Sequence, residues 1–192
     1  MTKDIAGDNI SCRHCANAPM RLETGPKKPV PAAAASISFE TTQEKVMEPR
    51  LNSYEAASDA MRALTTLETT VRALGIDPRL LDLIKLRASQ INGCAYCVDM
   101  HAGDLRKAGE TSRRIDALSV WRDTPFFTAR ERAALAWTEA ITLISETQAP
   151  DEDYEMLKSE FSEREMANIT LAIATINCWN RVSVGFRKMP TA

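Results

Sequence analysis

Two cysteines and one histidine stand at spacings that suit thiol redox chemistry. Cys94 and Cys97 form a C-x-x-C pair, and His101 follows four positions after the second cysteine. Because residues four apart share a face of an α-helix, Cys97 and His101 are predicted to lie within hydrogen-bonding reach. Cys94, seven positions before His101, is predicted to lie on nearly the same face. A helix N-terminus and a nearby imidazole both favour the thiolate, the reactive form of cysteine. The trio therefore suits an attacking thiol, a resolving thiol and a general base.

The same residue types also occur in structural zinc sites. Zinc takes four ligands in such sites, and the chain has no second pair at the usual finger or ribbon spacing. Cys12 and Cys15, with His14 between them, form the other C-x-x-C pair and could complete a cage across a long loop. That pair lies in a segment without core-forming content, so we expect no metal. Cys178 stands alone in an apolar stretch and is expected to be a small core residue.

The C-x-x-C pair must begin a helix for this geometry to arise, and the surrounding residues predict one. Asp77 and Pro78 are the N-cap and first position of a helix whose apolar face carries Leu80, Leu83, Ile84 and Ile91. That helix ends at Asn92-Gly93, and the next runs from the Cys94-Cys97 turn to about Gly109.

The rest of the chain from Met47 onward also has helical periodicity. A first core helix is predicted from about Tyr54 to Leu74, and capping boxes at Thr128–Glu131 and Ser162–Glu165 each begin another. No alternating apolar pattern is long enough to indicate a sheet. We predict an all-α, single-domain helical bundle of six or seven helices.

Residues 1–46 differ in composition from the rest. This segment holds four of the nine prolines, the alanine tract 32–35 and a single aromatic residue, Phe39. It cannot bury enough apolar surface to offset its ordering entropy. We therefore predict a disordered extension over 1–46 and a helical domain over 47–192.

Composition and charge exclude several classes of function. The chain has 24 Lys and Arg against 26 Asp and Glu, so it lacks the basic surface of a nucleic-acid-binding protein. Its longest apolar runs, such as 171–174, are far shorter than the roughly 20 residues that span a bilayer. The first residues are polar, without the apolar stretch of a secretory signal. We expect a cytoplasmic protein without nucleic-acid or membrane partners, in a compartment that keeps thiols reduced.

The segment from Asp82 to His101 resembles the core motif of the carboxymuconolactone decarboxylase family, in its alkylhydroperoxidase D-like branch. The segments 47–51 and 176–181 are also similar to members of that branch, and the resemblance covers roughly 47–187. It implies an all-helical fold, assembly as a trimer or a dimer-based hexamer, and reduction of hydroperoxides without haem, metal or other cofactor. The final helix, apolar around much of its circumference, also favours a homo-oligomer.

The resemblance also implies a role for each site residue. Cys97 attacks the peroxide, Cys94 resolves the resulting sulfenic acid, and His101 belongs to a proton relay that deprotonates Cys97. An external dithiol then regenerates the pair. Asp82 stands where the best-characterised family form has a glutamate, one methylene longer, so it is expected to orient His101 directly or through a water. Tyr96 stands where that form has a histidine.

Two other functions remain open at this stage. One is a lyase like the decarboxylase that gives the family its name, although its members do not depend on a C-x-x-C pair. The other is a zinc-binding or redox-sensing interaction protein that uses both cysteine pairs. The identities of the peroxide and the reductant cannot be predicted from the residues.

Overall fold

In the computed structural model, which describes residues 47–190, every element of regular structure is helical. This confirms the all-α prediction for the described part of the chain. The predicted extension, with Cys12, His14 and Cys15, lies outside the described residues. The helices are α1 (Ser53–Ala56), α2 (Ser58–Arg72), α3 (Pro78–Ile91), α4 (Ala95–Lys107), α5 (Ser112–Ala117), α6 (Ala129–Thr142), α7 (Ile144–Thr147), α8 (Asp151–Glu160) and α9 (Glu163–Phe186), with a 3-10 segment at Leu118–Asp123.

Residues 47–190 contain more helices than the six or seven predicted. The predicted helix from Tyr54 to Leu74 is divided at Ala57, whose φ of −143° is not helical. Two further helices, α7 and α8, lie between the capping boxes, separated where Gln148 and Ala149 adopt positive φ angles of 54° and 52°. In α8 the one buried residue is Leu157, so apolar periodicity gives almost no signal for this helix.

The predicted helix starts of α3, α6 and α9 are confirmed. The Asp77 carboxylate accepts hydrogen bonds from the backbone N–H groups of Arg79 and Leu80, both at 3.0 Å, and Pro78 begins the helix. Both capping boxes form, each with reciprocal hydrogen bonds between the N-cap residue and the glutamate three positions later. These ends are encoded locally, because every partner lies within one turn.

Helix α3 lies at the centre of the bundle and packs against α4, α6 and α9. On one side it contributes Leu80 and Ile84 to a core shared with α6, α8 and α9. On the other it contributes Leu83 and Leu86 to a core shared with α4, α5 and the 3-10 segment. Because α3 is covered on so many sides, its polar residues Asp82, Lys85 and Ser89 are buried as well, and Asp82 contributes to the candidate site.

Within residues 47–190, no helix is both long enough and apolar enough to cross a membrane. Even α9, with 24 residues, carries charged and polar side chains along much of its length.

Candidate active site

The two cysteines lie at the start of α4, as their spacing predicts. Gly93 adopts a φ of 65° and turns the chain out of α3, and Cys94 then serves as the N-cap of α4. The Cys94 Sγ accepts a hydrogen bond from the backbone N–H of Cys97 at 3.3 Å. A disulfide joins the two residues, with 5.4 Å between their Cα atoms, a common separation for disulfides. Both are buried, with exposed fractions of 1% and 2%.

His101 lies one turn further along α4 and is held by Asp82 of α3. Its Nδ1 is 3.2 Å from Asp82 Oδ1, and the imidazole is almost fully buried. A carboxylate at that distance favours the tautomer in which Nδ1 carries the proton and donates it, which leaves Nε2 as the basic nitrogen. Among the described residues, Nε2 has no hydrogen-bond partner. The ring is thus oriented with its acceptor nitrogen free.

Asp82 contacts His101 directly, although its side chain is one methylene shorter than the glutamate of the best-characterised family form. The sequence left open whether an aspartate could replace a glutamate without a bridging water. The packing of α3 against α4 brings the backbones close enough that a water is not needed.

Cys97 and His101 line a cavity of about 170 Å³ on one side of the bundle. Its walls come from α1, α2, α4 and α9 together with the C-terminal segment, and they are mainly apolar and aromatic apart from the charged side chains that α2 and the C-terminal segment contribute. They include Tyr54, Tyr96, Met100, Ile176, Trp179 and Lys188. Lys188 Nζ lies 3.9 Å from the centre of the Tyr96 ring, within the range of a cation–π contact. A small organic molecule can therefore reach Cys97 in largely apolar surroundings.

A buried ion pair between Glu68 of α2 and Lys85 of α3 borders the same cavity, and sequence reasoning missed it. Glu68 Oε1 accepts from Lys85 Nζ and, at 2.8 Å, from Arg72 Nε. Burial lowers the pKa of Lys85, and the adjacent Glu68 opposes that shift. Glu68 lines the cavity, and its Oε2 is buried without a hydrogen-bond partner among the described residues. The available signal was Lys85, a charge within the apolar stripe of α3, since such a residue needs a buried partner.

Asparagine side chains connect the turn before Cys94 to α9. Asn92 Nδ2 lies 2.9 Å from the Oδ1 atoms of both Asn177 and Asn180, and Asn180 Nδ2 donates to Ser89 Oγ at 3.0 Å. The backbone N–H of Cys94 donates to the Ser89 carbonyl at 3.0 Å. These bonds fix the turn that positions the cysteines, which gives the polar residues of α9 a structural role near the site.

Cys178 does not lie in the core, so that prediction is wrong. Its side chain is exposed, whereas Ile176 and Asn177 beside it are buried. The apolar composition of α9 hides which face points inward, because apolar residues occur all around the helix.

One group of residues within 47–190 has the donor types of a cation site. Side-chain atoms of Asp82, His101 and Asp104 all lie within 4.8 Å of one another. Two of these three are already joined by the hydrogen bond between His101 and Asp82. The zinc cage weighed as an alternative would instead use the cysteine pairs, one of which lies outside the described residues.

The chain is similar to proteins of one family. The profile of the carboxymuconolactone decarboxylase family matches residues 58–140. An uncharacterized protein of Bacillus subtilis, YdfG, is 40% identical over 138 residues, which cover 72% of this chain and 94% of YdfG. A crystal structure from Agrobacterium tumefaciens, of a protein of unknown function considered an AhpD-type antioxidant defence protein, is 46% identical. It superposes with a TM-score of 0.74 and covers 76% of this chain and 99% of that chain.

A more distant solved structure has the same fold. The debrominase Bmp8 is 23% identical, with a TM-score of 0.65, and covers 72% of this chain and 74% of that chain. A similarity at this level of sequence identity shows only that the fold is shared, and one fold can support several reactions. The reaction must therefore be argued from the residues of the site.

Proposed function

Since the chain belongs to the carboxymuconolactone decarboxylase family, we propose that it is a cofactor-free thiol peroxidase of the alkylhydroperoxidase D-like type. The observation that carries this proposal is the placement of Cys97 and His101 on one cavity, with Cys94 at disulfide distance. The similarity to an AhpD-type antioxidant defence protein supports the same chemistry. The family includes enzymes, among them the decarboxylase that gives it its name.

The first step is attack of the Cys97 thiolate on the terminal oxygen of a hydroperoxide. The O–O bond breaks, Cys97 becomes a sulfenic acid, and the alkoxide leaves as an alcohol after taking up a proton. In the reduced protein, His101 Nε2 accepts the thiol proton of Cys97 and returns it to the alkoxide. Asp82 supports this transfer because it orients the ring and stabilises the imidazolium.

The second step closes the disulfide. The Cys94 thiol attacks the Cys97 sulfenic acid, an S–S bond forms, and water leaves. The N-cap position of Cys94 allows this reaction, because one helical turn separates the two sulfurs and the backbone needs little movement. An external dithiol then transfers two electrons and two protons to the pair, and it leaves as its own disulfide.

The alternatives fit the site less well. A lyase that does not use a dithiol leaves the buried Cys94–Cys97 pair without a role. A structural zinc site needs four ligands, and the sequence has no second cysteine pair at the usual finger or ribbon spacing.

The proposed cycle also suggests a location and an assembly. We propose that the protein works in the cytoplasm, where reduced thiols are available to regenerate it. We also propose a homo-oligomer, since Leu171 and Val184 of α9 are 50% and 45% exposed and would be covered by a second chain.

Peroxide consumption by the cysteine variants tests this function. Cys97→Ser should abolish hydroperoxide reduction with any dithiol in a panel, because the attacking thiol is lost. Cys94→Ser should retain one turnover, seen as a burst equal to the enzyme concentration, and then stop. Cys178→Ser is the matched control and should turn over like the native protein. Equal bursts from Cys94→Ser and Cys97→Ser would refute the assigned roles.

A further inference from the structure

The two cysteines of the disulfide line two neighbouring pockets, which share Ser183 and Lys188 in their walls. Cys97 lines the cavity that contains His101, and Cys94 does not. Cys94 instead lines a groove of about 340 Å³ between the turn at Gly93 and the end of α9. We call this the Cys94 groove; its walls include Arg50, Gly93, Ala95, Val184, Arg187 and Lys188. Substrate and reductant therefore need not approach the disulfide from the same side.

The Cys94 groove carries positive charge. Arg50, Arg187 and Lys188 are all exposed, and the walls contain no aspartate or glutamate within residues 47–190. None of the three forms an ion pair with a described carboxylate. Arg50 Nη1 donates to the Gly185 carbonyl at 3.0 Å, which positions the guanidinium without neutralising it. Arg50 and Arg187, together with Lys188 on the wall shared with the Cys97 cavity, favour an anionic small molecule.

The chemistry of exchange favours attack at Cys94. In thiol–disulfide exchange, a thiolate attacks one sulfur and expels the other, and the better stabilised thiolate leaves faster. Attack at Cys94 expels Cys97, which lies on the cavity with His101 and within the first turn of α4. The helix N-terminus favours a thiolate at both positions, since the Cys94 Sγ accepts the Cys97 N–H, whereas the imidazole of His101 shares its cavity with Cys97 alone. The sulfur that faces the cationic groove is thus the one whose attack produces the better leaving group.

We propose that a small thiol bearing a carboxylate reduces the disulfide through the Cys94 groove. The proposal rests on the dithiol–disulfide cycle proposed above and assigns its reductant. The thiolate attacks Cys94 Sγ, a mixed disulfide forms there, and the S–S bond to Cys97 breaks with release of the Cys97 thiolate. The second thiol group, on the same molecule when the reductant is a dithiol or on another molecule when it is a monothiol, attacks the sulfur of the first, which releases Cys94 and forms the reductant's disulfide. Two thiols supply the two electrons and the two protons.

A matched pair of thiols tests the charge preference on the oxidised full-length protein, without peroxide. The probes are 3-mercaptopropionate and its neutral amide, with each rate divided by the rate of the same thiol toward a small neutral disulfide. The acid should react about tenfold faster than the amide at low ionic strength, and the ratio should approach one as salt screens the charges. Equal normalised rates at low salt would overturn the proposal.

Substitutions in the groove test which cations matter. Arg187→Gln should slow the acid about threefold and leave the amide unchanged, because one charge near the groove is lost. Arg187→Lys should restore the native ratio. Arg164→Gln is the matched control, since Arg164 is an exposed arginine near the opposite end of α9. Circular dichroism confirms that each variant is folded, and an unchanged ratio in folded Arg187→Gln and Lys188→Gln would contradict the cationic-groove assignment.

The site of attack is located by trapping the mixed disulfide. Acid quenching after brief exposure to 3-mercaptopropionate, followed by pepsin digestion at low pH and mass spectrometry, should find the added thiol on Cys94. Its presence on Cys97 would overturn the assignment. Because no peroxide is present, this result is separate from the peroxidase proposal. A protein that exchanges as described but consumes no hydroperoxide would refute only the peroxidase proposal.

Discussion

Asp82 has one methylene fewer than the family's usual glutamate, and close packing of α3 against α4 compensates for the shorter reach. A shorter carboxylate reaches a neighbouring helix only where the two backbones approach closely, and α3 and α4 do so along the segment that carries Asp82 and His101. The carboxylate is a positioning group, because it contacts the imidazole while the imidazole faces the cavity with Cys97.

Asp82→Asn is expected to slow peroxide attack on the reduced protein by on the order of a hundredfold, because the amide cannot stabilise the imidazolium. Asp82→Glu should keep the rate close to native, since it retains the charge that the family's usual residue supplies. Stopped-flow measurement of the tryptophan fluorescence change across pH provides both the rate and its pH profile. If all three proteins give the same profile, Asp82 has no role beyond the fold.

The pair formed by Glu68 and Lys85 gives a second prediction at this scale. Glu68→Gln leaves the fully buried Lys85 ammonium without its counter-charge and should destabilise the protein by about 3 kcal/mol. The double variant Glu68→Gln/Lys85→Met removes both charges and should recover much of that loss. Urea denaturation of the native protein, the single variants and the double variant measures the coupling. Additive effects would mean that the two charges do not stabilise each other.

At the scale of helices, the ends are determined by short-range hydrogen bonds. At the start of α9, the Glu165 carboxylate accepts from the Ser162 backbone N–H at 2.9 Å and from its hydroxyl at 2.7 Å. These bonds, with the Arg130 guanidinium, lower the pKa of Glu165 to about 2. A carboxyl with a depressed folded-state pKa stabilises the fold above its unfolded-state pKa, and this contribution is lost as pH falls toward the folded value.

Glu165→Ala should therefore cost about 1 kcal/mol of unfolding free energy at pH 7. The difference from the native protein should narrow between about pH 4.5 and pH 2, because protonation removes the same interaction from the native chain. Urea midpoints at several pH values measure this. Glu163→Ala, two residues before Glu165 and outside the capping box, is the control and should show a smaller pH dependence.

At the scale of the whole molecule, residues 47–190 contain the hydrophobic core clusters and the candidate site. Residues 1–46 lack the apolar content to build a core of their own. We therefore expect that deleting them leaves the melting temperature and the peroxidase activity largely unchanged. Differential scanning calorimetry and the peroxide assay check this. A large fall in melting temperature, with loss of bound zinc, would instead favour the cage that uses Cys12 and Cys15.

Association through α9 is the second prediction at this scale. Light scattering at micromolar concentration should give a mass above that of one 21.3 kDa chain. Leu171→Glu should lower that mass, because a charge would enter the covered apolar surface. Glu163→Lys, a charge change at the exposed start of the same helix, should not. A native monomer would contradict the predicted homo-oligomer.

Local sequence determined the parts of this protein whose partners lie within one or two helical turns. The caps at Asp77, Thr128 and Ser162 and the helix start at Cys94 follow from residue type and spacing, because helix geometry fixes the distances. The grouping of Cys94, Cys97 and His101 on one helix follows for the same reason. The boundary of α8 did not, since its single buried residue leaves no periodic signal.

The tertiary structure decided every contact that joins separate helices. The Lys85–Glu68 pair spans 17 positions, and no residue spacing predicts it; the His101–Asp82 pair spans 19 positions and is expected only from the family resemblance, which leaves open whether the contact is direct. The exposure of Cys178 and the position of Cys94 and Cys97 on two neighbouring pockets also depend on how α9 is rotated against α3 and α4. These features arise from packing, in which many small contacts together choose one arrangement of helices that are each locally encoded.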